Sequence, residues 1–243
     1  MTAQSTIDDR RTMGGETQAI DRSAADSLIG WWLDSGVDMA VGETPRDWLR
    51  RGAAPVPARP AAAAKPERLD EFQHWLSSAP GLPLDRPGAV RIGPQGQQGA
   101  KVMLLADLPG PNAAADGRAI GGDAWVLAQK MLAAIGVSTK QSYIASLACF
   151  HLPGARIGRE ELEACAAIAR DHVRLAAPER LILLGDEPSR ALLGEPVART
   201  RGKIHRVERV RTIATFHPRW LLQRPSDKAL AWRDLLLLMS GSD

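Results

Sequence analysis

Residues 210–222 read VRTIATFHPRWLL. Val210 to Thr215 is a β-branched and apolar run bounded by Phe216-His217-Pro218, which reads as a buried strand. Proline at the first position of the following segment suits a helix start, where its missing N–H is not needed. A histidine between a core strand and a helix stands at the carboxyl end of a sheet, and open α/β sheets bind their ligands there. This stretch therefore points to an α/β class and to a place for a site within it.

Outward from it, the same pattern recurs. Residues 102–106, 143–148 and 180–184 read as buried strands. Residues 67–77, 123–135, 159–176, 188–193 and 227–239 read as helices. Continuous apolar strands alternating with helices predict a three-layer α/β/α sandwich with a short, mainly parallel sheet. The order of the chain predicts a polar, disordered N-terminus at 1–22, a helical extension at 23–51 and a Pro/Ala-rich linker at 52–65. The core domain is expected at 66–243. In the extension, Leu28, Ile29, Trp32 and Leu33 follow Ser23 at helical spacing and offer a surface to a protein partner.

Composition excludes little but directs attention. With 44% hydrophobic and 24% charged residues the chain is an ordinary globular protein. No leader-like h-region and no apolar run of about 20 residues is visible, so a cytoplasmic protein without a membrane span is expected. The net charge is +3, unevenly spread. Residues 199–233 hold Arg199, Arg201, Lys203, Arg206, Arg209, Arg211, Arg219, Arg224, Lys228 and Arg233 against Glu208 and Asp227. Such a stretch suits a polyanion and equally an ordinary solvated face. Phosphate loops, GxGxxG turns, HExxH and GxSxG are absent, which lowers nucleotide hydrolases, dinucleotide oxidoreductases, zincins and α/β-hydrolases.

The strand ends carry the chemistry. They read Ala106-Asp-Leu-Pro-Gly110, then Gly117-Arg-Ala-Ile-Gly-Gly122, Tyr143-Ile-Ala-Ser146, Leu183-Leu-Gly185 with Ala191-Leu-Leu-Gly194, Arg201-Gly202, and Thr215-Phe-His-Pro218 with Leu221 and Leu222. In this order and spacing, over roughly residues 70–240, they resemble the family 4 type of uracil-DNA glycosylases. The resemblance implies a base flipped out of DNA and cut from its sugar. It implies that His217 donates to the base oxygen where negative charge develops, and that Asp107 positions the attacking water. Leu108, Pro109, Gly110, Ile120 and Ser146 fall at base-binding positions. Arg201, Gly202, Pro218, Arg219, Trp220 and Leu221 fall at DNA-binding ones, with the wedge that fills the vacated stack drawn from Arg219, Trp220 or Leu221. DNA is the implied partner, and a monomer is expected.

Several positions depart from that pattern. Asp107 stands for Glu and is shorter by one methylene; displacements of about 1 Å at a reacting centre can cost roughly a hundredfold. Ile120 stands for a stacking Phe, and Ser146 for an Asn that reads the base edge. Ala106 stands for Gly. Many relatives of this kind hold a four-cysteine iron–sulfur cluster, whereas this chain has only Cys149 and Cys165. No cluster and no other metal is therefore expected. Two readings stay open: a glycosylase acting on uracil or another deaminated base, and a degenerate relative that binds DNA or a protein without catalysis.

Overall fold

The computed structural model describes residues 22–35, 66–154 and 156–241. The chain forms two compact units, Met1–Val56 and Pro57–Asp243. Of the first unit, the described part is helix α1 (Arg22–Asp34), whose Leu28, Ile29, Trp31, Trp32 and Leu33 are all exposed. The expectations for residues 1–21, for the second helical piece near Thr44 and for the linker at 52–65 lie outside the described residues.

The second unit runs α2 (Leu69–Ser78), β1 (Val90–Arg91), β2 (Val102–Ala106), α3 (Pro111–Asp116), α4 (Gly122–Ala134), β3 (Ser142–Ser146), β4 (Phe150–His151) and α5 (Arg159–Ala176). It continues with β5 (Arg180–Leu184), α6 (Asp186–Leu193), α7 (Val197–Thr200), β6 (His205–Val207), β7 (Val210–Thr215), α8 (Pro218–Gln223) and α9 (Lys228–Met239). The main sheet has the order β3-β2-β5-β7-β6, parallel except for the antiparallel edge strand β6. This is the α/β arrangement expected from the strand–helix alternation. Missing from the sequence reading were β6, whose His205-Arg-Val has no apolar run, and the two-residue pair β1–β4. The third strand also ends earlier than expected. Ser146 Oγ donates to the Ala148 carbonyl at 2.7 Å and turns the chain there.

Two cores lie on the two faces of the sheet, as side chains of period two require. Met103, Leu105, Tyr143, Leu181, Leu183 and Ala214 pack against Phe72 and Leu76 of α2, Val173 of α5 and Leu192 of α6. Val102, Leu104, Ile144, Ile182, Leu184 and Ile213 pack against Ala128 and Leu132 of α4 and Leu235 and Leu238 of α9. The first core contains a polar clasp. Tyr143 Oη lies 2.6 Å from His172 Nε2 and accepts from Gln73 Nε2 at 2.9 Å, so α2 and α5 are tied to the edge strand β3. Burial pushes His172 down to about 3, so this ring is neutral.

A second polar tie closes the other side. Asp234 of α9 is 1% exposed. Its carboxylate accepts from Arg201 Nε and Nη2 at 3.2 and 3.0 Å, from the Gly202 N–H at 3.0 Å and from Thr215 Oγ1 at 2.8 Å. Arg201 Nη2 also donates to the Leu230 carbonyl at 2.9 Å. Arg201 and Gly202, expected as DNA contacts, also serve the fold: Arg201 Nε and Nη2 and the Gly202 N–H bond to the protein itself. Removing one partner of a buried ion pair leaves an uncompensated charge. Asp234→Ala should therefore destabilise the fold by about 3–5 kcal/mol in urea unfolding, while Asp234→Leu combined with Arg201→Met should cost clearly less. Equal losses in the two variants would contradict this account of the tie.

Candidate active site

Parallel neighbours β2, β5 and β7 end at one edge, and the residues following each meet there. After β7 comes His217, the N-cap of α8, 6% exposed. The Arg219 backbone N–H donates to His217 Nδ1 at 3.0 Å, so Nδ1 supplies the lone pair and Nε2 carries the hydrogen of the neutral ring. Burial first, and the Arg219 charge second, push this imidazole down to about 3. Among the described residues no buried side-chain polar atom lacks a partner, and no hydrogen bond within them uses His217 Nε2. His217 lines a cavity of about 330 Å³ together with Gly110, Asn112, Ile120, Asp123, Arg219, Leu222 and Gln223.

After β2 comes Asp107. Its backbone N–H continues the ladder to the Leu184 carbonyl at 3.2 Å. The side chain lies across Gly185, where a Cβ would stand 2.7 Å from Oδ2; Gly185 also has φ +106°, so glycine is required twice over. Asp107 faces a second cavity of about 290 Å³ together with Leu108, Pro109, Gly110, His151, Glu187 and Arg219. Burial, and then the Glu187 charge, raise its carboxyl to about 6 against the opposing pull of Arg219 and the Leu108 N–H. His151 Nδ1 donates to the Pro109 carbonyl at 2.8 Å and steadies the loop between β2 and α3.

Arg219 borders both cavities. Its guanidinium rests against Gly110, where a Cβ would lie 2.6 Å from Nη1, and Nη2 donates to the Leu108 carbonyl at 3.1 Å. Asp107 and His217 thus stand on opposite sides of a shared rim built from Gly110, Pro111 and Arg219.

The other sequence-read positions divide. Leu108, Pro109, Gly110 and Ile120 line one or both cavities. Ser146 is corrected: its hydroxyl is engaged by Ala148, so it offers no donor to a ligand in this arrangement. Pro218 and Leu221 are corrected as DNA contacts, because both are buried, Leu221 at 1% exposure. Trp220 is exposed but held: Nε1 donates to Asp227 at 2.8 Å, the ring stacks on Phe216, and Arg224 sits 4.5 Å from its centroid. It does not stand free as a wedge. Leu222, 42% exposed at the cavity mouth, was missed. Helix phase could have found it, since Pro218 and Leu221 share the inward face and the next residue turns outward. Asn112, Asp123, His151 and Glu187 were also missed, and short-range pattern held no signal for them.

A family model described as the uracil DNA glycosylase superfamily matches residues 94–236. A type-4 uracil-DNA glycosylase of Pyrobaculum aerophilum is 24% identical over 184 residues, 71% of this chain and 94% of that protein. Another, from Archaeoglobus fulgidus, is 25% identical over 170 residues, 65% of this chain and 85% of its own.

These relatives overturn the expectation of a cofactor-free protein, because both are of the type for which the resemblance implies an iron–sulfur cluster. The residues present do not fit a four-thiolate site. Cys149 and Cys165 line one tight apolar pocket with Leu76, Leu82, Pro83 and Ile168, and burial pushes the Cys149 thiol up to about 12. Among the described residues no group of three or more His, Cys, Asp and Glu side chains is placed to hold a metal. No helix among them is long and apolar enough to cross a membrane. By the order of its strands, the strand-end residues and the matched family model, the chain belongs to the uracil DNA glycosylase superfamily.

Proposed function

We propose that this protein is a DNA glycosylase that hydrolyses the N-glycosidic bond of uracil or another deaminated base flipped out of DNA. The observation that carries the reading is His217: a neutral ring, its Nδ1 engaged by the Arg219 N–H, lining a base-sized cavity at the carboxyl edge of the sheet. As the bond to the sugar breaks, charge collects on the base oxygens. A donor fixed in a water-poor site stabilises that charge more than it stabilises the bound substrate. Asp107 acts on the other side, where an ionised carboxylate orients water and opposes the positive charge of the sugar. Arg219, between the two cavities, supplies a cation for the departing anion or a neighbouring phosphate. Leu222 at the mouth is the side chain suited to fill the vacated stack.

A second reading, DNA binding without catalysis, draws on Ser146 and Ile120. The Ser146 hydroxyl is committed to Ala148, and Ile120 offers no π face. The two readings separate in a base-release assay on oligonucleotides bearing uracil, hypoxanthine or xanthine. Release by the wild type supports catalysis. Release only after Ile120→Phe with Ser146→Asn supports a scaffold that has lost it.

His217→Ala should lower single-turnover release by about 2–4 kcal/mol of barrier, roughly 30- to 1000-fold, with DNA affinity nearly unchanged. Undiminished release in that variant removes His217 from the chemistry.

Release should also rise with pH through about 6, as Asp107 ionises, and stay level above it while His217 remains neutral. The same carboxyl carries a stability signature. Its folded pKa lies above its unfolded value near 4, so its contribution is full below about 4 and is lost as pH rises through about 6. Asp107→Asn should therefore raise stability at pH 8 by about 1–3 kcal/mol and leave it little changed at pH 4, measured by urea unfolding. A destabilised Asn variant at pH 8 would show that the carboxylate is held by the fold and not strained by it.

A further inference from the structure

Strands β2 and β5 are parallel neighbours in register, with Ala106 opposite Leu184. Asp107 and the first turn of α6 therefore leave the sheet side by side. With no Cβ at Gly185 to block it, the Asp107 carboxylate leans over that residue, and Asp107 and Glu187 line the same cavity of about 290 Å³. The two acids of α6 differ in what they do. Asp186 accepts from the Val197 N–H at 2.8 Å and pairs with Arg190 at 3.8 Å. Among the described residues Glu187 makes no side-chain hydrogen bond, although it is half-buried. Partial burial, and then the Asp186 charge, raise its carboxyl above the usual range against the pull of Arg190, and it faces the cavity it shares with Asp107.

We propose that Glu187 is the second carboxylate of the hydrolytic site and holds the attacking water jointly with Asp107. This rests on the glycosylase reading above and deepens it. Asp107 is one methylene shorter than the acid its relatives use, and Glu187 restores the missing reach from the neighbouring strand end. In the reaction the water oxygen bonds to C1′ of the sugar. The C1′–N bond breaks and its electron pair leaves on the base. The water proton passes to the carboxylate pair, and the base anion is later protonated from solvent. The Glu187 charge raises the Asp107 carboxyl and so favours its taking up that proton. The other charged or titratable groups around the two carboxyls are Arg219 of α8, His151 of β4, and Asp186 and Arg190 of α6.

The test is single-turnover base release against pH for the wild type, Glu187→Gln, and Glu187→Gln combined with Asp107→Glu, on the deaminated-base oligonucleotide best released. Glu187→Gln should slow release by roughly a hundredfold at unchanged DNA affinity. Its acid limb should move to lower pH, because Asp107 loses a negative neighbour. Lengthening Asp107 in the same background should recover part of the rate. Wild-type rate and an unmoved limb in Glu187→Gln overturn the role, as does a slower variant whose limb stays in place. A wild type that releases no base from any of these oligonucleotides removes the glycosylase reading itself and this role with it. That outcome is distinct from an active enzyme indifferent to Glu187.

Discussion

The Asp234 carboxylate, buried and met by four protein donors, is the interaction on which the C-terminal half of the site depends. It joins α9 to the turn at Arg201-Gly202 and to Thr215, the last residue of β7. Thr215 is two residues before His217. The position of the imidazole is thus set by a charge cluster on one side of the sheet edge and by the packing of Pro218 and Leu221 on the other. A bidentate guanidinium–carboxylate pair has fixed geometry as well as strength. That geometry explains why an arginine in the most basic segment of the chain is turned inward.

Burial acts in the same sense on the two central titratable groups and has opposite chemical consequences. Both are driven towards their neutral forms. For His217 neutrality leaves a hydrogen-bond donor that is not already a cation, and the Arg219 N–H decides which nitrogen carries the hydrogen. For Asp107 neutrality is incomplete, since Arg219 and a backbone N–H favour the charge that burial and Glu187 oppose. A carboxyl held near 6 suits the general-base role proposed for it.

The altered positions have local physical reasons. Ile120 is fully packed into the core beneath α4 and serves as cavity wall and core residue at once. Ser146 is short enough to bond its own turn, which a longer amide would not do in the same way. The cysteine-poor region near Cys149 is filled by aliphatic side chains. At Ile120 packing stands where the family pattern has an aromatic ring, and at Ser146 a hydroxyl that serves its own turn stands where it has an amide.

The strands at 102–106, 180–184 and 210–215, the helix at 159–176 and the placement of Asp107 and His217 at strand ends were legible in the sequence. Buried parallel strands are apolar throughout, and turn residues mark their ends, so local pattern suffices. The inward turn of Arg201, the engagement of Ser146 and the approach of Glu187 to Asp107 were decided by tertiary structure. Those outcomes depend on which strands are neighbours and on which donors a buried carboxylate finds. Residues 80 positions apart meet through strand register, and the local sequence around either one carries no record of the other.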